Sequence, residues 1–526
     1  VKLYSVEGVP GTGKTTLATK LFLNLVQKMD PCYETFRRNM AVDFIKRLSA
    51  IERDHLRWVT TTHGICFRLL SMEFHYTRDD IATQKYWKDF CRKLGIPITV
   101  EDLGKLSPEN GETITHIHEI GSVGAKIYAI YSNCVNMLID IDEWQKLPAY
   151  MQPHVPPPYN TQIPFIIDKW LSFLEAKGMV DFPQMLYKTL ELKLHPPTEV
   201  YISDEFQDKT PIQYELFKLW SRNADTVLVC FDKNQAIYSF WGTNPRFCDE
   251  VRRKSKFRVL SPSWRLSEDA YSKATKLLKV SDQEVFKVEC VGHTKLIEID
   301  FSRVPDIINI YNDIMILART NYHLASLAQY LNHLGVPFLG RFGWSDKQLR
   351  IYSFVWKFRN HKEPIYKSEI LEYLKSTKAY SGATLEFVKK SMKNELTIED
   401  VNNYLPSSHK MVLNSSDPFR LANLTDKGIL KLTNAISRNT PPRSDIYLTT
   451  IHGSKGLEAD TVIVFDGITT KIQTSTMKNP EEFKNEHRVW YVALTRAKKY
   501  CFVVKNNPVR FSIPFLPRLG GTPHED

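Results

Sequence analysis

The residues that most constrain this chain stand at its start. A strand-like run over residues 2–6 leads into Gly8-Val-Pro-Gly11-Thr12-Gly13-Lys14-Thr15-Thr16, and a helical pattern follows over residues 17–28. The spacing GxxxxGK[ST] between a strand and a helix calls for a parallel α/β sheet, whose carboxyl edge delivers such a loop onto a helix amino terminus. Glycines let the loop bend until its N–H groups and the helix dipole face phosphate oxygens. Lys14 is then placed to neutralise the β- and γ-phosphates of a nucleoside triphosphate, and Thr15 to offer its hydroxyl to Mg²⁺. A chance glycine-rich turn would not carry both flanking elements.

Further β-branched runs over residues 199–203, 226–231, 314–317, 446–450, 461–465 and 500–504 alternate with helical patterns, the signature of parallel sheets. They fall into two groups, and 526 residues exceed what one core holds. The expected fold is therefore α/β, with two parallel-sheet P-loop-type domains and two mainly helical inserts. The first sheet domain is expected over 1–70 and 166–265, and the second over 266–340 and 444–526. Inserts are expected over 71–165, closing in the proline-rich stretch 154–158, and over 341–443, closing at Pro441-Pro442. Residues 506–526 read as a frayed tail.

A phosphate-binding loop needs an acidic partner on a neighbouring strand. The run 199–203 ends in Asp204-Glu205-Phe206-Gln207-Asp208, at the edge where such sheets place ligands. Asp204 is expected to hold Mg²⁺ and its waters, and Glu205 to orient or deprotonate the attacking water.

Asp204-Glu-Phe-Gln-Asp208 followed by Gln213 resembles the DEFQDxxxxQ signature of superfamily 1 helicases of the UvrD/Rep/PcrA group, and further motifs of that group follow in order up to residue 497. The resemblance implies two RecA-like lobes closing on one ATP, with Mg²⁺, and 3′ to 5′ movement along single-stranded DNA. Within Asp232-Lys-Asn-Gln235-Ala-Ile-Tyr238-Ser-Phe240-Trp241-Gly242 it makes Gln235 the γ-phosphate sensor. In Ser263-Trp264-Arg265 it implies that Trp264 stacks on adenine and Arg265 reaches the γ-phosphate. Thr450-Ile-His452-Gly-Ser-Lys-Gly456-Leu-Glu458 is similar to the TxHxxKGLE motif, with Gly456 and Glu458 near the nucleotide. Glu486-His-Arg488 with Tyr491-Val-Ala-Leu-Thr-Arg496-Ala497 is similar to the last motif, which makes Arg496 an arginine finger. Arg265 and Arg496 are read as lobe-two cations that cross the cleft to the transferring phosphoryl group.

The same resemblance implies a path for the strand. Tyr238, Phe240 and Trp241 would stack on bases. Thr62 and His63 of a TFHS-like motif, Arg319 and Asn321 of an RTN-like motif, and His452 would contact the strand. Between Tyr33 and Met40 the group's early strand-contacting motif has only a loose echo. Relatives carry Trp then Arg where this chain has Phe240 then Trp241, which keeps stacking and drops a phosphate contact. The chain begins too late to hold the group's adenine-reading glutamine segment, so adenine preference is expected to rest on Trp264.

Composition agrees with a nucleic-acid partner. The formal net charge of +11 favours a polyanion through counterion release. The eight cysteines lie far apart with no CxxC pair, so reduced, buried thiols and an intracellular reducing compartment (cytoplasm, nucleoid or nucleus) are expected. No apolar run reaches the length of a membrane span, and no membrane partner is expected. Expected partners are single-stranded DNA and single/double-strand junctions. RNA stays open, because stacking and phosphate contacts are shared between the two. Two other readings stay open: a translocase that does not unwind, and a nucleotide-binding module without motor activity, for which Gln235 and Arg496 would have no use.

Overall fold

The computed structural model describes residues 1–26, 30–48, 51–99, 121–377, 386, 389–390, 393–505, 509 and 512–517. Its first sheet holds β1 (Lys2–Glu7), β2 (Cys32–Thr35), β3 (Val59–Thr61), β4 (Val200–Ser203), β5 (Thr226–Phe231) and β6 (Lys256–Val259), in the order β3-β2-β4-β5-β1-β6. Its neighbouring strands pair in parallel, with Glu7 opposite Phe231 and Ser203 opposite Val229. The acidic strand β4 is therefore not the immediate neighbour of β1 that the sequence reading makes it; β5 lies between them. Both faces of the sheet are covered. Val227, Val229 and Phe231 of β5 join the cluster around Ile65, Phe217 and Trp220, whereas Leu228 and Cys230 join Ala18, Phe22 and Phe44. That alternation buries every second side chain on each side, which is why these strands read as unbroken apolar runs.

Further along the chain come β7 (Lys295–Asp300), β8 (Ile314–Ala318), β9 (Leu339–Gly340), the small antiparallel pair β10 (Ile365–Tyr366) and β11 (Glu395–Leu396), then β12 (Ile446–Thr450), β13 (Ala459–Phe465) and β14 (Ala497–Lys505). The second sheet has the order β7-β14-β13-β8-β12-β9, and β8 pairs in parallel with both β12 and β13. Every strand expected from the sequence is present. Some of those it does not announce, such as β3 and β9, are too short to show a period.

The first insert is helical. Trp87, Phe90, Ile130, Ile166 and Trp170 belong to its core, with Trp170 set edge-on to Trp87 at 5.1 Å. The helix Tyr159–Ala176 runs through the boundary expected at residue 165, since Ile163, Ile166, Ile167, Trp170 and Leu174 all join this core. The expected second insert holds a helix over Lys367–Ser376, and 378–385 lie outside the described residues. Of the tail expected to fray, Ile513 pairs antiparallel with Ile468, and the N–H groups of Phe515 and Leu516 both donate to Asp466 Oδ1 at 3.0 Å. Most of the rest lies outside the described residues.

Packing divides the chain into two compact units. Unit 1 holds Val1–Leu296, Ile451–Leu457 and Lys471–Lys499; unit 2 holds Ile297–Thr450, Glu458–Thr470 and Tyr500–Asp526. The segment 471–499 joins unit 1 because the helix Pro480–Leu494 packs on the helix Glu268–Val280 and on the turn Lys233–Gln235. Among the described residues no helix is long and apolar enough to cross a membrane. The eight cysteines are free thiols, all buried except the partly exposed Cys290.

Candidate functional site

The glycine-rich loop leaves β1 at its carboxyl end and enters the helix Lys14–Leu25. Gly11 and Gly13 have φ of 81° and 85°, the left-handed region open to glycine, and a Cβ on Gly11 would collide with Arg265. The segment 263–265 lies directly on this loop: Trp264 N donates to Gly11 O at 3.0 Å and Ser263 Oγ to Pro10 O at 2.8 Å. Trp264 is thereby fixed at the loop while 72% exposed, a free face for a flat ring. Lys14 Nζ donates to Gly8 O at 2.5 Å, and Thr12 Oγ1 to Val9 O at 2.9 Å; Thr16 is exposed on the first helical turn.

Thr15 Oγ1 donates to Asp204 Oδ2 at 3.1 Å. A hydroxyl and a carboxylate oxygen thus meet beside the loop, the hard oxygen set that Mg²⁺ takes together with its waters. Tyr33 OH donates to the same Oδ2 at 2.9 Å. Burial, and then the Glu205 charge, push Asp204 up to about 6. Glu205 has φ of 55°, an uncommon value for a side chain of its size and one that clusters at functional sites. Gln207 Nε2 donates to Glu205 Oε2 at 2.5 Å, and Lys455 Nζ lies 3.9 Å from it.

Gln235 bridges two charged groups. Its Nε2 donates to Asp232 Oδ2 at 2.7 Å, while its Oε1 accepts from Arg496 Nη2 at 2.7 Å. Arg265 Nη1 donates to Thr495 O at 3.3 Å, one residue before Arg496. Burial, and then repulsion by Arg496, push Arg265 down to about 9, so this guanidinium is still cationic at neutral pH. Both arginines fall in unit 1 with the loop, where Trp264 is bonded to Gly11 and the helix ahead of Arg496 packs on the turn that carries Gln235, while Arg496 directly precedes β14 of the second sheet.

Several residues that the sequence does not single out complete the site. Lys455, 1% exposed, donates to Asp208 at 2.5 Å and to Gln235 O. Arg37 donates to Lys455 O at 2.8 Å and Gly453 O at 3.2 Å. Asp208 is pushed up to about 7 by burial, with Lys455 opposing. The only sequence signal for these is position: Lys455 stands inside the TxHxxKGLE-like motif, and Arg37 between Tyr33 and Met40, where the early strand-contacting motif has its loose echo.

Glu7, the last residue of β1, is buried near Asp232, and its Oε2 has no hydrogen-bond partner among the described residues. Burial, and then the Asp232 charge, push it up from 4.5 to about 8. Its folded-state value thus lies above the unfolded one. The native state alone keeps the proton between those values, so the Glu7 contribution to stability is full below pH 4.5 and drains as pH rises toward 8, at about 1.4 kcal/mol per pH unit. Glu7→Gln should remove that slope. Apparent melting temperatures of variant and parent should diverge steadily as pH rises between those two values, and parallel curves would show that Glu7 does not carry a proton.

The strand-facing candidates separate. Tyr238 is 1% exposed, stacked on Phe36 at 5.0 Å, and donates to His452 O at 3.0 Å. Trp241 is also buried; Phe240 alone of the three is partly open, 5.6 Å from the buried His452 ring. Thr62 is buried, with its hydroxyl on Glu34, while His63 is half-buried at 5.8 Å from Phe182. Gly456, with φ of 80°, sits against Met40 in unit 1. Arg319, buried just after β8, and Asn321, opening the next helix, belong to unit 2, as does Glu458.

Comparison with known proteins decides the family. The pattern of the UvrD/REP helicase N-terminal domain matches residues 2–256, and that of the UvrD-like helicase C-terminal domain matches residues 344–507. This chain belongs to the UvrD/REP helicase family. Similar proteins include a probable DNA helicase II homolog of Mycoplasma genitalium, 22% identical over 95% of this chain and 83% of that protein. The ATP-dependent DNA helicase Rep of Buchnera aphidicola is 21% identical over 63% of this chain and 66% of its own length. The ATP-dependent DNA helicase srs2 of Schizosaccharomyces pombe is 24% identical over 62% of this chain and 41% of its own length. UvrD/REP membership accounts for the two parallel sheets and for the order of the motifs along them.

Proposed function

We propose that this chain couples ATP hydrolysis to 3′ to 5′ movement along single-stranded DNA and to duplex unwinding at single/double-strand junctions. ATP-dependent DNA helicase activity is the property of its family, and the single observation that carries the detailed reading is the chain of contacts Asp232–Gln235–Arg496 in the unit that holds the glycine-rich loop. A nucleotide-binding module without a motor has no need of a buried arginine held on a sensor amide.

In this reading Gly8, Gly11, Thr12, Gly13, Lys14, Thr15 and Thr16 cradle the phosphates, and Trp264 stacks on the base. Thr15 and Asp204 hold Mg²⁺, which when bound screens the β- and γ-phosphate charges. Glu205 takes the proton of the attacking water, and Arg265 and Arg496 neutralise the charge that grows on the transferring group. Phe240, His63, His452, Arg319 and Asn321 serve the strand. Tyr238 and Trp241, being buried, act as supports for Phe240. The first insert is an accessory domain that runs on to Met179.

The test is ATP hydrolysis without nucleic acid, with single-stranded DNA and with single-stranded RNA, at two salt concentrations. Stimulation by DNA that fades with salt supports the reading. Stimulation by RNA alone would move it to an RNA translocase, and stimulation by neither would leave a nucleotide-binding module.

A further inference from the structure

One buried charge is not used by the chemistry above. Glu34 on β2 is 1% exposed, and both oxygens of its carboxylate accept hydrogen bonds. Oε1 takes them from Thr62 Oγ1 and, at 2.6 Å, Lys209 Nζ; Oε2 takes them from Tyr201 OH and, at 3.0 Å, Ser203 Oγ. Burial raises this carboxyl, but Lys209 and the hydrogen bonds outweigh it and hold it below its ordinary value, so it is an anion. Its main-chain oxygen accepts from Asp204 N at 2.8 Å, and its neighbour Tyr33 reaches Asp204 Oδ2. A buried ion pair is seldom needed for packing, since apolar residues of similar size often serve as well or better. This one joins three motif-bearing places: the strand end that carries Asp204 and Glu205, Lys209 directly after Asp208, and the start of the helix Thr62–Phe74 that carries His63.

The motif resemblance makes Thr62 a strand contact. Yet it is 4% exposed, and its hydroxyl has a single proton, which goes to Glu34. A strand phosphate could claim that proton only by stripping the carboxylate of a donor.

We propose that Glu34 is a positioning residue that locks the start of the His63 helix to the Asp204–Glu205 strand end, so that strand binding raises ATP turnover through it, and that Thr62 acts by holding Glu34 rather than by touching nucleic acid. The inference rests on the motor reading above.

The test uses the full chain with Glu34→Gln, Thr62→Val and the two combined. Two quantities are read: the ratio of ATP turnover with saturating single-stranded DNA to turnover without it, and strand affinity by fluorescence anisotropy. Each single variant should lower the ratio by about fivefold or more with strand affinity unchanged, and the pair should do no worse than the worse single. A ratio unchanged in Glu34→Gln overturns the inference. So do additive losses, or a Thr62→Val variant that binds the strand more weakly yet keeps full stimulation at saturation. If these variants fold poorly, Glu34→Met with Lys209→Met removes both charges together; loss of stimulation there supports the inference, and its retention overturns it. A parent chain that no strand stimulates would instead sink the motor reading, and the inference with it.

Discussion

Glu205→Gln is expected to lower strand-stimulated ATP turnover by about 10²- to 10⁴-fold while ATP still binds. The amide keeps the size of the carboxylate but cannot accept a proton from water. Glu205 is the residue whose left-handed backbone sets it apart from Asp204, the carboxylate that meets the Thr15 hydroxyl. The two neighbouring acids thus differ in surroundings: one is bonded to the loop helix, the other stands 3.9 Å from the buried Lys455 ammonium. Steady-state hydrolysis together with a fluorescent-nucleotide binding assay separates chemistry from binding. A variant that turns over nearly as fast as the parent would remove Glu205 from the base role.

Arg496→Ala should reduce kcat by about 10³- to 10⁵-fold with a far smaller change in KM for ATP. Charge on the transferring phosphoryl group develops in the transition state, and a preformed cation there acts on kcat rather than on ground-state binding. Arg496 is held in place by Gln235 at 2.7 Å and by its own Nε on Val492 O at 3.1 Å. Its positive field already weakens the proton affinity of Arg265, so the two cations repel until a polyanion joins them. Arg496→Lys should recover little, because an ammonium lacks the planar fork that can meet an amide and a phosphate together. A loss confined to KM would assign Arg496 to nucleotide binding instead.

The parts of this molecule legible in the sequence are those with a local signature. The glycine-rich loop and the DEFQD segment follow strands whose apolar runs announce them, and every strand read from such a run is present. Local pattern does not say which strands become neighbours, so the interposition of β5 between β1 and β4 stays hidden in it. Nor does it say where a distant helix docks: Arg265 and Thr495 are far apart along the chain yet share a hydrogen bond, and Arg496 follows into unit 1. Burial is the third blind spot. Tyr238 and Trp241 have the chemistry of stacking platforms but lie inside, and Thr62 has its proton committed to a carboxylate that no motif marks.

The exposed ring of Trp264 bears on how a nucleotide base would be held. Its backbone is pinned to the phosphate loop while its ring stands open to solvent. A flat aromatic face measures the area of what lies on it and is indifferent to the pattern of amino and keto groups around the edge. Guanine should rest there as well as adenine, and pyrimidines somewhat less well. Stacking on Trp264 would thus hold a purine by its area, and a preference for adenine would have to come from contacts other than this ring.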